Sequence, residues 1–149
     1  RIMAEHNIIG QKGEQIAVET MRKKGFRVVD TNWKFGHLEM DVIAVNRKEI
    51  AFVEVKTRTS SFGDKRPEEF VDELKRRRMA AAANAYIKIH QIELVPRFDI
   101  IGISMDPYTY EVKELTHLED AFLPPQRTIG KSSFSGQGRW KHRGRVIGK

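Results

Sequence analysis

The chain has 149 residues, of which 27 are Lys or Arg, 20 are Asp or Glu and 40% are hydrophobic, and its formal net charge is +7. The surplus sits in residues 124–149, which hold seven cations (Arg127, Lys131, Arg139, Lys141, Arg143, Arg145, Lys149) and no acid; residues 1–123 balance at 20 of each sign, so a uniformly basic domain is excluded. The apolar share is enough for a core and excludes wholesale disorder, while the absence of Cys excludes a disulfide framework, a thiolate metal site and a cysteine nucleophile.

Gly10 to Lys24 reads as a helix with Ile16, Ala17, Val18 and Met21 as its apolar face, Arg22, Lys23 and Lys24 against its negative end, and Gly25 as its stop. Three strand signals follow: Phe26 to Trp33, Leu38 to Val45, and Ile50 to Thr57 after an Asn46–Glu49 turn. Their short connections predict an antiparallel meander. After a polar loop, Pro67 is placed as the first residue of a second helix, with Glu68 and Glu69 in its first turn and an alanine-rich stretch, Ala80 to Ala85, carrying it to about Ile89. Arg97 to Ser104 and Tyr110 to Leu115 read as further strands across an Asp106-Pro107 turn. The order αβββαββ predicts an α/β class, bordering on α+β, with a mixed sheet flanked by helices.

Residues 1–123 are therefore one domain. From Pro124 onward apolar periodicity ends and ten of 26 residues are Pro, Gly or Ser, the composition of a flexible basic tail. Within it, Arg139, Trp140, Lys141, Arg143 and Arg145 combine phosphate-tracking cations with a ring that can stack on bases, and a solubilising tail is the plainer alternative. No apolar run nears the roughly 20 residues that span a bilayer, and the N-terminal residues lack a secretory apolar stretch. The expectation is a soluble cytoplasmic protein with no membrane partner.

The charges inside the strands carry the chemistry. Glu54 and Lys56 interrupt the apolar third strand and, with a side-chain period of two, point to one face. Asp41 interrupts the second strand between Met40 and Val42. Buried charge is costly unless paired or bound to metal, so acids on adjacent strands beside a lysine form a candidate cation site. Mg²⁺ suits one or two carboxylates plus waters, and the chemistry such a site supports is metal-assisted phosphodiester hydrolysis. By spacing alone a solvated face with a cross-strand ion pair is the better reading.

Element order and motifs change that balance. Gly10-x-x-Gly13-Glu14-x-x-Ala17, Asn32, Glu39-x-Asp41, Phe52-Val53-Glu54-Val55-Lys56-Thr57-Arg58, Phe62-Gly63, Lys75, Ala82 or Ala83 before Tyr86, and Arg97-Phe98-Asp99 occur in this order. Over about residues 8–118 the chain resembles the YraN-like family of bacterial proteins and the PD-(D/E)xK, restriction-endonuclease-like αβββαβ core, which is similar to Holliday-junction resolvases. The resemblance implies Asp41 and Glu54 as metal ligands, with the Val55 carbonyl as a third, for Mg²⁺ (or Mn²⁺), one ion or two. It implies Lys56 as the catalytic lysine and Glu14 as a further ligand or water-holder. Lys75 would be directed toward the site from the second helix, Glu39 would stand beside the ligands, and Arg58 and Lys34 would contact phosphate. Two departures stand out: Leu38 where the family usually has Gly, and Lys34 where it usually has Arg, which removes a bidentate phosphate fork.

The implied activity is metal-dependent endonucleolytic hydrolysis of DNA, branched or single-stranded. The alternatives are a non-catalytic nucleic-acid-binding module of the same fold and a protein-interaction scaffold. A homodimer would suit a two-stranded substrate.

Overall fold

The computed structural model describes residues 2–65 and 69–123. Its elements follow the expected order: α1 (Ile2–Lys23), β1 (Arg27–Phe35), β2 (Leu38–Val45), β3 (Glu49–Arg58), α2 (Glu73–His90), β4 (Val95–Met105) and β5 (Val112–Phe122). The five strands form one sheet in the order β1-β2-β3-β4-β5. All neighbours are antiparallel except β3 and β4, which run parallel and are joined through α2. This is an α/β protein with a mixed sheet between two helices, in agreement with an αβββαβ core. No helix among the described residues is long and apolar enough to cross a membrane.

The two helices cover opposite faces. Ala17 and Met21 of α1 pack with Val42, Ala44, Ala51, Val53, Ile101 and Ile103. Met79, Ala80, Ala82, Ala83 and Tyr86 of α2 pack with Met40, Ile43, Ile50, Phe52 and Phe98. Residues 98–105 of β4 are all buried, the pattern of a strand covered on both faces. Odd-numbered residues of β3 face α1 and even-numbered ones face α2, and this alternation decides where the charges go.

Turn chemistry agrees with the sequence. Gly25 at φ of 94° ends α1 and lets the Phe26 N–H donate to the Met21 carbonyl. The Asn46 side chain accepts the N–H groups of Lys48 and Glu49 between β2 and β3. Gly13 is required by close approach, because a Cβ there would collide with Thr57 Cγ2 on β3.

Three boundaries differ from expectation. Helix α1 begins upstream and runs through Gly10 rather than starting there. Helix α2 begins at Glu73, not Pro67; Asp72 stays extended and its carboxylate accepts the Lys75 N–H at 2.8 Å, a capping bond that starts the helix there. Phe70 and Val71 are instead buried with Phe62 and Ile100 as a third apolar cluster, while Pro67 and Glu68 lie outside the described residues. Strand β5 continues past Leu115 to Phe122, because Thr116, His117 and Leu118 pair with Gly102, Ile101 and Ile100.

Candidate active site

The ladder between β2 and β3 runs from Val45↔Ile50 to Val42↔Val53 and ends there. Beyond it, the Val55 N–H donates to Asp41 Oδ2 at 2.8 Å, so a side chain replaces the backbone partner. On the other side of β2, Asn32 stands at φ of 49°, between the Thr31↔Val42 and Trp33↔Met40 pairs. This left-handed residue bends β1 where β2 leaves β3. The strands thus splay with Asp41 at the opening. A strand residue directs its N–H and C=O to the same side, so the Val55 carbonyl also faces the opening rather than β4.

Glu54 continues the even-numbered face after Ile50 and Phe52 and is 6% exposed. The first turn of α2 brings Lys75 Nζ to 3.4 Å from Glu54 Oε1. Lys56, two residues on, shares with Lys75, Arg78 and Asp72 a cleft of about 380 Å³ on the α2 side. A second cleft, of about 280 Å³, opens on the α1 side and is lined by Glu14, Asn32, Asp41 and Thr57. There Glu14 Oε1 accepts a hydrogen bond from Asn32 Nδ2 at 2.8 Å. Asp41 is therefore reached from the α1 side, while Glu54 is addressed by lysines from the α2 side.

Burial pushes the Glu54 carboxyl up, and the Asp41 carboxylate beside it adds to the rise; Lys75 and Lys56 pull down, and the outcome is about 7. Burial also raises Asp41, against the Val55 N–H and Lys75. The two carboxyls act as one unit that retains a proton toward neutral pH. Burial raises Glu14 as well, opposed by the Asn32 hydrogen bond and reinforced by Asp41.

The pair holds that proton even with Lys75 and Lys56 beside it, and a cation bound between the carboxyls would displace the proton. Two carboxylates and one backbone carbonyl are oxygen donors of the kind and number from which Mg²⁺ is held with waters completing its octahedron. Among the described residues no group of three or more His, Asp or Glu side chains is arranged to hold a metal ion; Glu14 lines the α1-side cleft together with Asp41.

The remaining sequence-predicted residues lie around this centre. Lys34 and Glu39 pair across the β1–β2 hairpin at 3.4 Å and are exposed; the Glu39 charge is felt at Asp41 and Glu14. The Arg58 guanidinium lies 4.5 Å above the Phe62 ring. Arg139, Trp140, Lys141, Arg143 and Arg145 lie outside the described residues. Sequence reasoning singled out Asn32 only as part of a motif and missed its two jobs, the bend in β1 and the bond to Glu14. The detectable signal was an Asn inside a strand, a residue that tolerates left-handed backbone.

The chain matches the uncharacterised protein family UPF0102 over residues 13–103. It belongs to that family. A UPF0102 protein of Bacteroides thetaiotaomicron is 40% identical over 123 residues, which cover 83% of this chain and 98% of the relative. One from Parabacteroides distasonis is 42% identical over 125 residues, covering 84% of this chain and 100% of the relative. One from Flavobacterium psychrophilum is 40% identical over 121 residues, covering 80% and 98%. The stretch matched to UPF0102 contains Glu14, Asn32, Asp41, Glu54, Lys56 and Lys75.

Proposed function

We propose that this UPF0102 member is a divalent-metal-dependent endonuclease that hydrolyses phosphodiester bonds in DNA. The observation that carries the reading is the buried Asp41–Glu54 pair at the splayed end of β2 and β3, with Lys75 and Lys56 beside it. Asp41, Glu54 and the Val55 carbonyl would hold Mg²⁺ or Mn²⁺, one ion or two. Such an ion supplies Lewis-acid polarisation of the scissile phosphate and acidifies an attacking water.

The chain's own groups do the rest. Lys56 and Lys75 line the α2-side cleft and offer positive charge to a phosphate entering there. Lys56 is the one available to stabilise charge on the reacting phosphate, since Lys75 is already drawn to Glu54. Glu14, oriented by Asn32 and raised above the usual carboxylate range, can hold a water and take up its proton. The cationic residues 124–149 would serve recruitment, separately from the chemistry.

The test incubates the full chain with junction, flap and single-stranded DNA in Mg²⁺ or Mn²⁺. Cleavage is expected, and Asp41→Ala is expected to slow it by roughly a hundredfold or more, equivalent to about 3 kcal/mol of barrier. A wild type that cuts nothing, or an Asp41→Ala variant that cuts equally well, overturns the reading. Binding that falls steeply with salt, disappears when residues 124–149 are removed and survives Glu54→Ala would mark a non-catalytic module instead.

A further inference from the structure

Gly10 lies inside α1, and a Cβ built on it would meet nothing within 4 Å. Glycine in a helix interior is destabilising relative to alanine. Gly13, one turn on, has a steric reason to be glycine, the collision with Thr57; Gly10 has none. What Gly10 does line is the α1-side cleft of about 280 Å³ that reaches Asp41. Its missing side chain leaves helix backbone bare on the wall of that cleft.

The neighbours of Gly10 indicate what the bare backbone is for. Asn7 and Gln11, four residues apart on one helix face, stand beside Gly10, and Asn32 lines the same cleft from β1. Each amide offers donors and an acceptor in one plane, the arrangement that pairs with the edge of a nucleobase. No Lys or Arg lines this cleft among the described residues, whereas Lys56, Lys75 and Arg78 line the α2-side cleft. Phosphate is thus directed to the α2 side and repelled on the α1 side by the carboxylates of Glu14 and Asp41, so what the α1 side can take is the uncharged, hydrogen-bonding part of a nucleotide.

We infer that the α1-side cleft receives an unpaired nucleotide adjacent to the cleaved phosphate. Its sugar lies against the bare backbone at Gly10 and its base edge meets the amides of Asn7, Gln11 and Asn32. The inference rests on the nuclease reading and sharpens it. A base held in a duplex cannot present its pairing edge to this cleft, so the preferred substrates contain at least one unpaired nucleotide.

The experiment measures the affinity of the full chain for a single-stranded oligonucleotide and for the matched duplex, by fluorescence anisotropy in Ca²⁺, alongside the melting temperature. Wild type should favour the single strand by about tenfold, the scale of one well-placed base contact. Gly10→Ala should raise Tm by roughly 2–4 °C, as expected for relieving a helical glycine in a chain of this size, while bringing the preference close to unity. Gln11→Ala should reduce the preference with Tm unchanged. A purely structural Gly10 cannot produce a gain in stability together with a loss of binding. The inference is overturned if Gly10→Ala keeps the wild-type preference, if Gly10→Ala lowers Tm, or if wild type binds both forms equally. Failure of the nuclease reading reads out differently: wild type would prefer the single strand, and lose that preference in Gly10→Ala, yet cut nothing in Mg²⁺ or Mn²⁺.

Discussion

Glu54 and Asp99 sit on adjacent strands, one facing α2 and the other α1, and are 6% and 0% exposed. Burial pushes both carboxyls up, yet Glu54 ends near 7 and Asp99 ends below the usual carboxylate range. The difference lies in the donors aimed at them. Asp99 accepts from Arg97 Nη2 at 2.9 Å, from His117 Nε2 at 2.7 Å and from the Asp120 N–H at 3.0 Å. An ionised carboxylate can only accept, so the His117 Nε2 carries its hydrogen. Arg97 in turn is held by Glu49 at 3.2 Å and lies 4.7 Å from the Phe26 ring centroid. Glu54 has one lysine at 3.4 Å and a second carboxylate for a neighbour. Equal burial therefore produces a finished structural anion in one place and an unfinished one in the other. The unfinished one is where a cation has something to add.

The largest effect expected from breaking this contrast is at the finished site. Asp99→Ala leaves Arg97 and His117 buried without their shared acceptor and should cost about 3–5 kcal/mol of stability in urea unfolding. A cost below about 1 kcal/mol would remove Asp99 from the structural role. The next effect is in the pH dependence without divalent ions. The unfolded Glu54 titrates near 4.5 and the folded one near 7, so between these values the folded state keeps a proton that the unfolded state has released. Stability should fall as pH rises through that window, by on the order of 3 kcal/mol in total, an upper figure because the proton is shared with Asp41. Asp99, with its pKa lowered, contributes in the opposite sense and is lost as pH falls. Glu54→Gln should remove the descending limb, leaving a variant more stable than wild type above pH 7. An unchanged limb in Glu54→Gln would show that another group sets it. Mg²⁺ should stabilise wild type more at pH 8 than at pH 6, since it competes with the retained proton.

The two sites also differ in how much of them the sequence discloses. Asp41, Glu54 and Lys56 stand out because each interrupts an apolar strand whose boundaries follow from alternation, and β2 and β3 lie within a residue of where that pattern puts them. The Asp99 network is hidden: His117 is 18 residues away, and only the β4–β5 register, with β5 extended to Phe122, carries it inward. In the sequence His117 shows no ligand spacing, and nothing there points to Asp99 until that pairing is known. Asn32 is half-hidden: an Asn inside a strand signals tolerance of left-handed backbone, but its bond to Glu14 on α1 depends on tertiary packing. Lys75 sits in a full turn of cations, Lys75 to Arg78, whose charges point around the helix. Which of them faces the sheet depends on the helix phase, and Asp72 sets that phase through its cap at Lys75. The resemblance singled out Lys75 where periodicity did not.

Lys75 gives the smallest and most discriminating test. Its side chain is 32% exposed, so its pair with Glu54 is partly screened by water and removing it should cost no more than about 1 kcal/mol. Arg97, by contrast, is 11% exposed and paired with a fully buried carboxylate. Lys75→Ala should leave the fold nearly untouched in urea unfolding while moving the titration of Glu54 above 7, because a cation that pulls it down has gone. Carbon-13 NMR titration of the glutamate carboxyls in Lys75→Ala reads that shift directly. A large stability loss would place Lys75 with Arg97 among the structural cations. An unmoved Glu54 titration would mean that Lys56 alone supplies the positive charge at the site, and the contrast between a finished and an unfinished carboxylate would then rest on Asp41 rather than on α2.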